Sequence, residues 1–503
     1  MESISNLLMG FNLFFQPEPI LYCFIGVTIG TIVGVLPGIG PVSAISLLLP
    51  ATLAITPVNA IIMLSGIYYG AMYGCSTTSI LLNIPGEAAS VITCLDGYQM
   101  ARKGRAGPAL GISAFGSYIA GTVAVVCMML VAPELAEIAL SFGPPEYFSL
   151  ILCGLAMVTF LAKGGMMKAL LMAAVGLFLG CVGMDIITGT PRFTLDIPEL
   201  SDGIGLVPLM MGLFGVAEVL RNLEESMERN IFETKIQNIL PTLKDWGESI
   251  FPIIRGSIIG FFIGLLPGGG GILATFTSYA TEKKISDHPE KFGEGVIEGV
   301  AGPESANNAA STATFIPLLT LGIPPNATMA IMFGALIIHG LQPGPLLMKE
   351  HPQMFWGLIA SMYVGNTLLL ALNLPLIGIW VKLLKVPYPI LFPLILVFCL
   401  IGTYTMNNSI IDLLIMSFFS IVGYVMIKFE YEVAPLVLAL VLGSRWENAL
   451  KQSLLMENGD LTIFLTRPIS AAFLIIAIAL ILISLIPAVK KKVAMVPKEE
   501  TPS

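Results

Sequence analysis

Two sets of hydroxyl and amide residues stand beside interrupted apolar runs. The first is Ser43, Ser46, Tyr73, Ser76, Thr77, Thr78, Ser79 and Asn83; the second is Thr275, Thr277, Ser278, Ser305, Asn307, Asn308, Ser311, Thr312, Thr314 and Asn326. Such groups donate hydrogen bonds to an anion or coordinate a hard cation, and small neighbours let the backbone approach as well. Singly, each also fits an ordinary role, because Ser and Thr in membranes commonly bond backbone or line helix contacts. Two carboxylates lie in the same segments. Glu304 follows Pro303, so capping the first turn of a helix and holding a cation or proton are both open to it, while Glu87 reads as a cap. No Arg or Lys occurs between residues 1 and 101, and Glu304 is the one charge from Pro303 to Leu347. An anion bound there is therefore expected to rest on helix N-termini and side-chain dipoles, each terminus contributing about 0.3–1 kcal/mol. The expected substrate-binding residues are Gly38, Gly40, Ser43, Ser76, Thr77, Gly268, Gly270, Asn307, Asn308, Ser311, Thr312 and Asn326, with Tyr73, Asn83, Glu304 and Ser305 as candidates for cation coupling. No catalytic residue or cofactor is expected, and no metal beyond Na+.

The elements that must position these residues are broken helices. GVLPGIGP (Gly34 to Pro41) recurs as GLLPGGGG (Gly264 to Gly271) 230 residues later, each time at the end of an apolar run. CSTTSILLNIPGEA (Cys75 to Ala88) has a looser counterpart in ASTATFIPLLTLGIPPNA (Ala310 to Ala327); that alignment inserts four residues and sets Tyr73 opposite Asn308. Proline cannot donate its backbone hydrogen bond, and glycine permits dihedrals that uncoil the chain. Non-helical backbone at membrane depth is tolerated only where it is buried in protein or lines a cavity. Paired breaks in corresponding places of two halves point to the binding site of a secondary transporter. Simple kinking for packing is the alternative.

Composition agrees. Of 503 residues, 55% are apolar and 12% charged, half the soluble norm of roughly 25%, so a soluble enzyme is excluded. A net charge of −8 gives no field for nucleic acid. The seven scattered cysteines read as packing residues, and no H-E-x-x-H, G-x-S-x-G or Walker loop offers a seat for hydrolysis or ATP use. His288 and His351 read as loop residues, and His339 as a helix residue. The N-terminus lacks a basic n-region, so the first apolar run is expected to be retained.

The predicted fold is an all-α polytopic membrane protein of about 10–12 transmembrane helices in two inverted repeats with discontinuous helices. Apolar spans are expected near 20–36, 108–131, 146–162, 167–184 and 204–220, then near 250–266, 354–380, 388–404, 409–427 and 468–487. Residues 37–97 and 267–345 look too interrupted for ordinary spans. The expected organisation is 1–220 as first repeat, 221–248 as cytoplasmic connector, 249–488 as second repeat and 489–503 as a polar tail. Basic residues at 102–105, 163–168, 221–244, 382–385 and 428 mark inside loops, and the acidic loops 132–146 and 185–203 the outside. That count leaves Lys490, Lys491 and Lys492 outside, so either 432–466 hides another crossing or the C-terminus is external.

The blocks GVLPGIGPVSAISLLLPATL, GIYYGAMYGCSTTSILLNIPGEA, LDGYQMARKGRAGPALG, EGVAGPESANNAAS, PLLTLGIPP and NGDLTIFLTRPIS together resemble the large permease subunit of the tripartite tricarboxylate transporter family, TctA, over residues 20 to 475. The resemblance implies a multi-pass permease of the bacterial inner membrane. It would work with a small membrane subunit (TctB-like) and a periplasmic substrate-binding protein (TctC-like) to import citrate-like carboxylates on a Na+ or H+ gradient. The family's signature segments fall on Gly34, Pro37, Gly38, Gly40, Pro267, Gly268, Gly270, Pro303, Glu304, Ser305, Asn307 and Asn308. Pro325-Asn326 departs from the expected Gly and small residue. A potential of 100 mV opposes each negative charge by about 2.3 kcal/mol, so a substrate of charge −2 needs at least three monovalent cations before the potential assists uptake. An ion channel or solute pore is the alternative function.

Overall fold

The computed structural model describes residues 2–36, 40–162, 165–185, 187–224, 238–383 and 388–485. In chain order its main helices are α1 (Glu2–Phe14), α2 (Pro17–Val35), α3 (Pro41–Leu48), α4 (Pro57–Leu82), α5 (Val91–Arg102), α6 (Ala106–Leu140), α7 (Pro144–Phe160), α8 (Met166–Gly180) and α9 (Leu206–Glu224). The second half adds α10 (Leu243–Gly264), α11 (Gly270–Ile285), α12 (Glu298–Ala313), α13 (Phe315–Leu321), α14 (Ala327–Ile338), α15 (Pro352–Asn373), α16 (Tyr388–Asn407), α17 (Ile410–Lys428), α18 (Val433–Met456) and α19 (Pro468–Leu485). Among the described residues, eight helices are long and apolar enough to cross a membrane (α2, α4, α6, α9, α10, α15, α17 and α18), and six shorter apolar ones accompany them. This is an all-α polytopic membrane protein. Its proline excess has a local cause: α2, α3, α4, α7 and α15 each carry Pro in their opening turn, where a missing N–H costs nothing.

Three sequence expectations need correction. Residues 57–82, read as too interrupted to span, form the continuous 26-residue α4; its polar groups are tolerated because it is almost wholly buried among other helices. The run 354–380 ends at Asn373. Helix α10 begins at Leu243, inside the expected connector, because Thr242 and Asp245 form a reciprocal cap with Asp245 N–H donating to Thr242 Oγ1 at 3.2 Å and Thr242 N–H donating to Asp245 at 2.9 Å. Residues 225–237 of the connector and the whole tail 489–503 lie outside the described residues.

Each half is organised by one parallel helix pair. Gly26, Gly30 and Gly34 of α2 face the carbonyls of Met63, Ile67 and Ala71 of α4, so closely that a methyl group on each glycine would stand 2.3, 2.5 and 2.3 Å from the oxygen. Gly256, Gly260 and Gly264 of α10 face Gly302, Ala306 and Ala310 of α12, where the same distances are 2.2, 2.2 and 2.5 Å. Between the members of each pair a break and a return segment carry the chain back. Helix α4 and the segment α12–α13 run antiparallel, since Tyr68 packs on Phe315 while Ser76 bonds Glu304.

This geometry resets the internal alignment. With the glycine contacts superposed, Asn83 matches Gly322, and both are left-handed residues that end a helix, with φ of 58° and 69°. Glu87 matches Asn326; both have φ of −150° and cap the next helical segment. Tyr69 therefore corresponds to Asn308 and Tyr73 to Thr312, without the four-residue insertion. The sequence alignment slipped by four residues, close to one helical turn, so similar faces still matched.

The hidden crossing is α18. At one end of the bundle Arg105 pairs with Asp245, Lys428 with Glu224 at 2.8 Å, and Lys168 donates to Phe429 O at 2.7 Å. At the other end Arg192 pairs with Glu447 at 2.6 Å, Lys451 with Asp185 at 2.6 Å and Arg467 with Glu146 at 3.0 Å. The first set joins loops that the basic-residue rule puts inside, and the second ties residues 447, 451 and 467 to the loops at 146 and 185–192 that it puts outside. Helix α18 starts beside the first set and ends in the second, and α19 runs parallel to α7 through Ser149–Ser470 and the packing of Ala477 on Cys153 and Ala156. One more crossing removes the conflict with the positive-inside rule.

Gly260→Ala is expected to destabilise the purified protein by about 1–3 kcal/mol, because the methyl has only backbone to displace. Gly247→Ala, on an exposed turn of the same helix with nothing within 4 Å, should stabilise by about 0.5–1 kcal/mol. Thermal unfolding in detergent checks both; equal signs would contradict the packing described.

Candidate functional site

Helix α12 brings the chemistry together. Glu304 is its seventh residue and 1% exposed, so it caps no helix terminus; that alternative is excluded. Its carboxyl accepts from Ser76 Oγ at 2.5 Å and from Thr93 Oγ1, with Ser113 alongside. One turn on, Asn308 Nδ2 donates to Ser117 Oγ at 2.7 Å and to Glu304 O at 3.1 Å. Across from it Tyr73 donates to Asn366 Oδ1 at 2.5 Å, and Asn366 Nδ2 donates to Tyr118 O at 2.8 Å and Thr122 Oγ1 at 3.0 Å. Tyr69, Tyr73, Asn308, Thr312 and Asn366 border a cavity of about 10 Å³, roughly the size that admits one water or a bare ion. Tyr69 and Tyr73 come from α4 and Asn308 and Thr312 from α12, so the cavity sits where those two helices run antiparallel past each other.

The breaks form a second cluster. Gly268, at φ +78°, donates its N–H to Pro325 O at 2.8 Å, which ties the two breaks of the second half. In the first half a methyl on Gly86 would stand 2.3 Å from Gly34 O, so the segment after α4 there also packs on the end of α2. Glu87 accepts from Ala89 N–H, the capping role expected of it. Asn326 accepts from Met329 N–H at 2.9 Å and donates to Tyr68 Oη at 3.4 Å. Gly270, at φ +47°, opens α11, whose N-terminus has no side-chain cap; Gly40 likewise opens α3, and both face open space. Beside Gly271 lies Asn307, 1% exposed, with neither side-chain atom hydrogen-bonded; Ser305 Oγ and Ser278 Oγ are buried and unpartnered too. Buried polar groups are nearly always bonded, so the unserved Asn307 amide marks a place for a polar partner. Uncapped N–H groups with the Asn307 amide suit an anion.

Other expected site residues do different work. Ser43 donates to Phe214 O at 2.8 Å, holding α3 to α9. Ser311 and Thr312 donate to Asn308 O within their own helix, at 3.0 and 3.1 Å. Asn83 acts through its backbone as the left-handed end of α4, and Thr77 is buried on that helix. Gly38 and Pro37 lie outside the described residues. Sequence reasoning missed Tyr68, Thr93, Ser117 and Asn366, whose one signal is a polar side chain in an apolar or mixed run.

It also missed Asp96, which is fully buried on α5. Its carboxylate accepts N–H donors from Gly295 at 2.7 Å, Val296 at 2.9 Å and Gly293 at 3.0 Å, and the Tyr279 hydroxyl at 2.8 Å. Helix α5 thus fastens the loop that launches α12 and, through Thr93, touches Glu304. Asp96→Ala takes the acceptor from the Tyr279 hydroxyl and from the Gly295 and Val296 N–H groups, at about 1–3 kcal/mol for each one left buried, and should cost more stability than Ser76→Ala, which removes one donor at about 1–3 kcal/mol. Folded yield and thermal unfolding check the ranking.

The model of the tripartite tricarboxylate transporter TctA family matches residues 20–438. An uncharacterized 52.8 kDa protein in the TAR-I ttuC' 3' region of Agrobacterium vitis is 51% identical over 492 residues, 98% of each chain. An uncharacterized protein in the TAR-II ttuC' 3' region of the same organism is 49% identical over 233 residues, 46% of this chain and 96% of its own. No solved structure matches.

Proposed function

The chain belongs to the tripartite tricarboxylate transporter TctA family, and from that premise we propose that it is the large permease subunit of a binding-protein-dependent secondary transporter, importing a di- or tricarboxylate by symport with Na+ or H+. The observation that carries this reading is Asn307, an orphaned amide beside the uncapped N-terminus of α11 where two breaks meet. A carboxylate placed there would accept from its Nδ2.

On this reading the halves are an inverted-topology repeat. The same order of helix, break, return segment, parallel helix, left-handed end and capped helix occurs twice, and the two copies cross antiparallel, which is the arrangement that puts a transporter's site between repeats. The coupling ion is assigned to the crossing. Hydroxyl and amide oxygens of Tyr73, Asn308, Thr312 and Asn366 suit a hard cation, and Glu304 one turn away supplies negative charge. The partners are a small membrane subunit and a periplasmic binding protein, in a bacterial inner membrane. A pore is disfavoured because the crossing holds a cavity of about 10 Å³.

Reconstituted with both partners in proteoliposomes, the protein should take up citrate or a related carboxylate only with the binding protein and an inward Na+ or H+ gradient. Asn307→Ala should cut the initial rate about tenfold or more while leaving ligand-free stability unchanged or higher, since it removes an unsatisfied buried group. Gradient-independent flux without the binding protein would refute the reading.

A further inference from the structure

We infer that Arg445 supplies a guanidinium fork for one carboxylate of the solute, at the edge of the second break; this rests on the reading of the site just given. Arg445 is twelve residues into α18, half-buried, and two residues before Glu447 of the outer ion pairs. A charge taken partly out of water is normally paired. Arg105, Arg192, Arg255 and Arg467 each have a carboxylate partner, Asp245, Glu447, Glu282 and Glu146 respectively. Among the described residues Arg445 has none. Its Nη1 donates to Pro343 O at 3.2 Å, and its face lies 4.7 Å from the centre of the Phe333 ring. Neither contact neutralises it.

Its position gives the missing anion a place. A methyl on Gly322, the left-handed residue that opens the second break, would stand 2.6 Å from Arg445 Nη1. From Gly322 the chain runs through Ile323, which with Pro267 flanks Gly154, to Pro325, which accepts from Gly268. The guanidinium therefore borders the place where both breaks of the second half meet. Phe333, on which the guanidinium stacks, also helps to line a cavity of about 790 Å³, together with Ser444 and Glu447, that reaches Asp185 and Arg192 at the outer end.

Arg has five N–H donors in a planar fork that matches a carboxylate bidentately, and one of them serves Pro343. An arginine there also answers how an anion is held beside broken segments that contain no basic residue of their own.

The test uses the full three-component transporter in proteoliposomes, with citrate, succinate and malate as probes, each against its monoamide. Arg445→Gln should raise KM for the accepted carboxylate about 10- to 100-fold and erase the preference over the amide, with Vmax little changed. Arg445→Lys, which keeps the charge without the fork, should recover part of the preference. If Arg445→Gln lowers Vmax and thermal stability while carboxylate and amide keep their ratio, Arg445 is only a clamp on Pro343 and the assignment fails. If the unaltered complex transports no carboxylate at all, the function reading fails and takes this assignment with it.

Discussion

Two helices lie with their backbones touching only where one of them presents nothing larger than hydrogen at each crossing point. That constraint governs both halves of this molecule. The glycine rows of α2 and α10 bring whole carbonyl ladders within contact distance, and in lipid, where no hydrophobic force draws helices together, such dispersion contact is the available glue. Because each pair is parallel, the chain must return between its members, and the return requires a break. The broken backbone that forms the candidate site thus follows from the packing of the helices that flank it.

A polar interior is tolerable here because its members serve one another. Ser76 and Thr93 come from different helices to one carboxyl of Glu304, and Asn366 takes the Tyr73 hydroxyl while bonding α6 with its amide. Against this background the few unserved groups stand out. Asn307 and Arg445 differ in chemistry, one an amide without partners and the other a cation without a counter-ion, yet both border the breaks of the second half.

Much of the fold was legible because proline, glycine and lysine act locally. The two G-x-L-P-G breaks and the grouping of the basic loops at one end came from residues whose effect spans a turn or a short loop. Helix α4 was not legible as a span, since Tyr68, Tyr73, Ser76 and Thr77 lower its apolarity and only three-dimensional neighbours reveal that it is interior. The register of the repeat was lost by one turn for a related reason: short Ser/Thr runs look alike when shifted along a helix, whereas carbonyl contacts do not. Of the site, Asn307 and Glu304 could be named from their setting. Arg445 could not, because it stands more than a hundred residues from the break it borders.

Over the matched stretches, Gly26 to Ala88 and Gly256 to Ala327, the two halves differ in length in one place. Thirty-seven residues separate Gly34 from the Ala71 that it faces, and forty-six separate Gly264 from Ala310. Upstream of that interval the halves keep one spacing, and downstream, through the left-handed ends and caps, they keep another. Within the matched stretch, chain length diverges only along the return limb, between each glycine row and the helix it faces. That limb is the part of the architecture where evolution could add chain without unseating the backbone contacts, and the nine extra residues of the second copy are the trace of that freedom.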